Sequence, residues 1–270
     1  MIHDTEPPIW EDTLPHFSTS EKGGRITALP LDSRGRLGFF AVATFVLWVP
    51  ASAAGTLFVH HAGRPGSHAM EAWQGILILL FAFLPCILTG ITSDEARDRF
   101  GQRKTANRVA AIPAFSGIAV GLLIAGLRVG GFAGGIIAST SVLCSVGAIA
   151  ATLTAWSGIR TTRRRQAWIT SMRHYGKRSR GVLREVDFRQ EWSGTDPQFS
   201  VIVEFTGESG PQWITAHMTT TTRRVPLPGT VVVVYRAPGD PQGEVLIELD
   251  RTAHPEFDPE HSKYEQPSGS

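Results

Sequence analysis

The chain is poor in the residues that usually carry chemistry. It has only two cysteines, Cys86 and Cys144, and both fall inside long apolar runs. No cysteine pair has ligand spacing, and the polar segments hold no disulfide framework. Free cysteine of this kind is expected to be buried in lipid or in helix packing. The one asparagine, Asn107, is followed by Arg108 and Val109, so no N-glycosylation acceptor exists. No Walker A loop, H-E-x-x-H, C-x-x-C, G-x-S-x-G or G-x-G-x-x-G occurs. The scattered candidates Asp187, Glu204, His217 and Asp240 read as solvent-face strand or turn residues, Asp240 initiating a turn before Pro241. The expectation is a protein with no catalytic residue, no metal and no cofactor.

Charge is missing in a more telling place. Residues 37–59, 72–92, 108–127 and 132–156 are mostly apolar with no charge in their interiors. About 20 residues rising roughly 1.5 Å each cross the ~30 Å hydrocarbon core of a bilayer. The fold expected is therefore membrane α-helical, with four transmembrane helices over 37–158, joined to a cytoplasmic all-β domain. Residues 1–36 form a polar N-terminal tail with acids such as Glu6, Glu11 and Asp12, and residues 159–180 a basic juxtamembrane segment. The β-domain occupies 181–250. Residues 251–270 carry proline, serine and charge with little apolar content and read as a disordered tail. No basic region followed at once by a short apolar run opens the sequence. The first span is thus expected to act as an uncleaved insertion signal.

Basic residues set the expected orientation. Lys22, Arg25, Arg34 and Arg36 precede the first span, and only Arg64 lies between the first and second. Arg97, Arg99, Arg103, Lys104 and Arg108 separate the second from the third, and only Arg128 the third from the fourth. Arg160, Arg163, Arg164 and Arg165 follow. Lys and Arg accumulate in short cytoplasmic loops, so both termini are expected in the cytoplasm of a bacterial inner (plasma) membrane, with 60–71 and the turn near Gly130 facing outward. High Ala, Gly and Arg with scarce Asn and Lys suit a GC-rich bacterial genome, such as that of an actinobacterium.

Ion-coupled transport usually needs intramembrane Asp, Glu, Lys or His, and the spans lack them. Pro50, Pro85 and Pro113 can kink three spans. Gly117 and Gly121 form a G-x-x-x-G, as do Gly126 and Gly130, Gly130 and Gly134, and Gly131 and Gly135. Small residues let backbones approach, so spans three and four are expected to pack as a tight hairpin, a homodimer face being the alternative. His60, His61 and His68 cluster at the outer end of the first span, and interfacial polarity explains them better than a metal or haem ligand role.

The segment 160–180 reads RTTRRRQAWITSMRHYGKRSR. Its membrane-surface candidates are Arg163, Arg164, Arg165, Trp168, Arg173, Lys177 and Arg178, with Arg180 continuing the charge. Tethered beside a span, they favour anionic lipid headgroups over nucleic acid, although a plain topology signal explains them equally well.

From Gly181 the period becomes two. Strands are expected near 181–188, 199–206, 212–218, 230–236 and 243–249, with GESGP as a hairpin turn and Val201, Val203 and Phe205 on one face. Five short strands cannot bury both faces of a flat sheet, so a small five-stranded barrel or a sandwich is expected.

Gly181-Val182-Leu183, the strand FSVIVEF from Phe199 to Phe205, a glycine turn, PGTVVVVY from Pro228 to Tyr235 and then Asp240-Pro241 resemble a family of small β-domains of unknown function. Those domains follow transmembrane helices in many bacterial proteins. The resemblance covers residues 180–250, concerns turns and strands, and implies a fold but no chemistry. YRAPGDP is a residue longer than the family's usual turn, which leaves the last hairpin's register open.

The function expected is a non-enzymatic interaction or regulatory module anchored by four helices, with a cytoplasmic protein partner. The alternative is a small oligomeric channel or transporter with a regulatory β-domain, which fits the proline and glycine of the spans.

Overall fold

The computed structural model describes residues 15–30, 36–62, 72–207, 210–239 and 243–267, with side chains at all of these except 62, 72–82 and 251. Glu6, Glu11, Asp12, Arg34, Arg64, His68 and Asp240 lie outside the described residues. The chain divides into two compact units, Pro30–Thr162, and Met1–Leu29 together with Arg163–Ser270.

The first unit is helical. It holds α1 (Arg36–Ala62), α2 (Ala72–Phe100), α3 (Arg103–Val129) and the greater part of α4 (Gly131–Tyr175). Three of these are long and apolar enough to cross a membrane among the described residues: α1, α3 and α4. Three of the four expected spans are thus shown among the described residues. The described side chains of α2 begin at Phe83, and the stretch from there to Phe100 carries Asp94, Glu95, Arg97, Asp98 and Arg99. Its interior Cys86 is exposed and Cys144 half-buried, so neither lies deep in helix packing. Pro50, Pro85 and Pro113 sit inside α1, α2 and α3.

The central helix is α3. Its buried residues are small: Ala106, Ala110, Ala114, Gly117, Gly121 and Ala125 recur every third or fourth position and so share one side. α1 and α2 pack against it and against each other.

The second unit is an antiparallel sheet of six strands, bent into a nearly closed barrel. Its strands are β1 (His16–Ser18), β2 (Lys177–Ser193), β3 (Asp196–Gly207), β4 (Gly210–Thr219), β5 (Val231–Arg236) and β6 (Val245–Leu249), in the order β1-β4-β3-β2-β5-β6. β1 returns beside β6 and narrows the remaining gap. Period-two alternation builds the interior. Phe199, Val201, Val203 and Phe205 point inward from β3, as expected, joined by Leu183, Met218, Val232, Val234 and Ile247. β5 is apolar without alternation because both of its faces are covered. Outside it, Ile169 and Met172 of α4 pack on Leu246 with Trp168, Tyr235 and Leu29.

Three expectations change here. The sheet has six strands rather than five, because a three-residue strand in the N-terminal tail pairs His16, Phe17 and Ser18 with Thr219, Met218 and His217. β2 is far longer than 181–188. It pairs with β5 through its first half and with β3 through its second, and irregularities between Leu183 and Glu185 and between Phe188 and Trp192 bend it around the barrel. The end read as disordered is held on the barrel through Tyr264. Pro226 bridges Phe257, Tyr264 stacks edge-on against Phe188 and Phe199, and Trp192 donates its indole N–H to the Tyr264 carbonyl at 2.9 Å. Aromatic burial fixes what the polar composition alone would leave loose. The last hairpin's register is Val232 opposite Leu249 through Arg236 opposite Val245.

Candidate functional site

The basic run begins as the C-terminal turns of α4, where 3.6-residue periodicity separates its side chains. Every third or fourth position, Arg165, Trp168, Ile169 and Met172, turns toward the barrel. Arg165 binds the Glu244 carboxylate at 2.5 Å and lies 3.7 Å from that of Glu21, its guanidinium 3.8 Å above the Trp168 ring. Ser20 also donates to Glu244. Burial pushes the Glu21 carboxyl above its usual range, against the pull of Arg165 and of two hydrogen bonds from Thr27. Arg173 is paired with Glu248 at 2.7 Å. The sequence-predicted membrane-surface set therefore divides. Arg165, Trp168 and Arg173 are engaged with the β-unit, while Arg163, Arg164, Lys177 and Arg178 stand exposed.

The helix-packing set divides too. A Cβ at Gly117 would lie 2.6 Å from Trp48 Cβ, and one at Gly121 would lie 2.3 Å from the Val49 carbonyl oxygen, so these two seat α1 on α3 rather than α4. Gly126 and Gly134 do join the α3–α4 hairpin, where a Cβ at Gly134 would lie 2.6 Å from the Gly126 carbonyl oxygen. Gly130 and Gly131 make its turn at φ +67° and +59°, and Gly135 faces open space. Hydroxyls supplement the contacts. Thr44 and Thr92 share a hydrogen bond of 2.8 Å, Trp48 donates to Thr89 at 3.0 Å, and Ser141 donates to the Ala119 carbonyl at 2.7 Å.

Of the scattered polar candidates, the sheet brings two into one row. Asp187 stands opposite Ser200, which stands opposite His217. No hydrogen bond of the described residues joins them. His217 lies instead 3.4 Å from Arg189, and its pKa is lowered by burial first, then by Lys22 and Arg189. Glu204 is ion-paired with Arg184. His61 donates from Nδ1 to the Leu57 carbonyl, 2.6 Å away within its own helix. No group of three His, Cys, Asp or Glu able to hold a metal occurs among the described residues.

One open end of the barrel forms a cavity of about 140 Å³, lined by Lys177, Ser179, Phe205, Val234, Arg236 and Gly239 among others. Arg236 stacks 5.1 Å from the Phe205 ring centroid and donates from Nη2 to Gln212 Oε1 at 2.7 Å. Its Nε is buried and meets no acceptor. Lys177 stands directly opposite Arg236 in the β2–β5 ladder. The sequence reading missed Arg236 and Gln212, and placed Lys177 with the lipid. The available signal was phase: Arg236 is two residues beyond Val234, and so shares its inward face.

No family model, no curated protein and no solved structure matches this chain.

Proposed function

We propose that this chain is a bacterial inner-membrane protein with four spans and both termini in the cytoplasm. Its β-domain is a non-enzymatic module that binds a cytoplasmic partner, like the small membrane-linked β-domains it resembles. The observation that carries this reading is the inverted distribution of apolar side chains in the helical unit. Phe39, Val42, Val46, Leu143, Val146, Ile149 and Leu153 are exposed on α1 and α4 while alanine, glycine and threonine are buried. Such surfaces suit hydrocarbon, where apolar exposure costs nothing and small residues make the helix contacts. α2 is the fourth span of this reading, its apolar residues 72–92 preceding the charged turns that reach the cytoplasmic boundary. Arg163 and Arg164, next to the end of the fourth span, then lie at the level of anionic headgroups, each contributing about 1 kcal/mol of attraction.

The test is accessibility labelling of Gly66→Cys and Asp187→Cys in intact cells, with Cys86 and Cys144 replaced by serine. A membrane-impermeant maleimide should react at 66 and not at 187; the reverse pattern overturns the topology. In-cell crosslinking from the β-unit followed by capture should yield a discrete cytoplasmic neighbour. Robust solute flux from vesicles reconstituted with the pure chain would replace the binding-module reading with that of a small oligomeric channel or transporter.

A further inference from the structure

The inward face of the barrel is mainly apolar and becomes doubly cationic at its last position at the open end. Ser179 and Lys177 follow Gly181 on β2 at two-residue steps, and Val234 and Arg236 follow Val232 on β5. Side chains two apart along a strand share a face. The same row that buries Val232 and Val234 therefore ends in Lys177 and Arg236. These two are cross-strand partners, and like charges directly opposite each other destabilise a sheet.

Arg236 is held in place, stacked on Phe205 and anchored through one nitrogen to Gln212. Gln212 itself occupies the space that a side chain at Gly207 would fill, since a Cβ there would lie 2.7 Å from its Cδ. The fixed guanidinium leaves its Nε buried without an acceptor, beside a cavity of about 140 Å³ whose described lining holds no carboxylate. A buried charged donor without an acceptor is costly, and a guanidinium is suited to receiving two oxygens of one planar or tetrahedral anion. A Ser179 hydroxyl and the backbone around Gly239, at φ +81°, complete the polar rim.

We propose that this barrel mouth is a binding site for an oxyanion group, a carboxylate or a phosphate. Arg236 is its principal ligand and Lys177 supplies the second charge, over a floor of Phe205 and Val234. The cavity admits a small ligand or the terminal residue of a chain, and both sources present the same oxygens. The inference rests on the reading of the barrel as a binding module and is independent of its side of the membrane. A topology that fails accessibility labelling leaves it standing.

The experiment uses the full chain in detergent or nanodiscs, titrated with inorganic phosphate, with acetate, and with a short peptide bearing either a free or an amidated C-terminus. Calorimetry and thermal unfolding are the readouts. At least one oxyanion should bind saturably to the native chain and about tenfold or more weakly to Arg236→Gln and Arg236→Lys, the loss expected of one charge-assisted hydrogen bond. Stronger binding of the free than of the amidated peptide identifies a chain terminus as the source; stronger binding of phosphate identifies a phosphorylated ligand. Lys177→Gln keeps the experiment decisive should an Arg236 variant misfold. It should bind the anion more weakly than the native chain. Absence of saturable binding by every probe, or equal binding by native chain and well-folded variants, overturns the proposal.

Discussion

The two units solve the packing problem with opposite residues. In the barrel the fully buried side chains are large, Phe199, Leu183 and Met218 among them, and the outward positions of β3 are Ser200, Ile202 and Glu204. In the helical unit the buried residues are mostly small, Ala96, Ala106, Ala110, Ala119, Ala125, Thr44, Thr92 and Thr105 among them, and most of the large apolar residues face out. The barrel follows from the hydrophobic effect, which rewards removing large apolar surface from water. The helices gain nothing from that exchange if their surroundings are lipid, and rely on close backbone approach and hydroxyl hydrogen bonds. The difference shows which kind of change each unit should fail to tolerate.

The largest effect is expected in the barrel. Phe199→Ala should cost about 3–5 kcal/mol, as for other buried aromatic truncations. Denaturant unfolding followed by the fluorescence of Trp192 should reveal it. Preserved helical circular dichroism would show that the two units fail separately.

Tyr264→Ala comes next, at about 1.5–3 kcal/mol by area burial. It removes the ring that Phe188 and Phe199 meet at 5.3 and 5.2 Å. Proteolysis of the segment after Asp250 should accelerate in this variant. An unchanged rate would mean that the tail contributes nothing to the barrel.

In the helical unit the sensitive change runs from small to large. Gly121→Val should cost about 1–3 kcal/mol, the usual range for overpacking, because its Cβ would meet Ser52 Oγ at 2.0 Å and the Val49 carbonyl. Gly135→Val, where no atom lies within 4 Å of the added Cβ, is the matched control. Equal losses at the two positions, measured by unfolding in mixed micelles, would remove the close-packing account of α1 and α3. Thr92→Val should cost only about 0.6 kcal/mol, the mean for hydrogen bonds between membrane helices.

The smallest effect is a dependence on acid. Asp258 accepts from Lys263 at 2.6 Å, and this contact, ahead of the Glu260 amide and the Tyr264 hydroxyl, holds its carboxyl below the usual range. A carboxyl whose folded pKa is depressed stabilises fully above its unfolded value, about 3.9, and loses that contribution as pH falls through the lower folded value. Tail protection should thus fade below pH ~4 and hold steady between pH ~5 and ~8. Asp258→Asn should make it independent of acid.

What could be read from the chain differed by unit. The helices were legible because burial in them is a property of long local composition. Four helices stand over the four apolar runs. The strands 199–206 and 230–236 were legible because alternation and β-branching are local as well. The partners of the helix glycines were not. G-x-x-x-G states that a backbone can approach, and Gly117 and Gly121 met α1 instead of α4.

The sequence by itself determined the division into apolar helices and an alternating β segment, the inward residues of β3, and the turns at Gly130 and Gly131. Each depends on residues within one or two turns of the chain. Only the tertiary structure decided that His16–Ser18 would extend the sheet and that Tyr264 would join its core. It alone set Arg165 between Glu21 and Glu244 and paired Lys177 with Arg236 across the ladder. These contacts join residues far apart in the chain, and the barrel's closure, which no local pattern encodes, sets which of them meet.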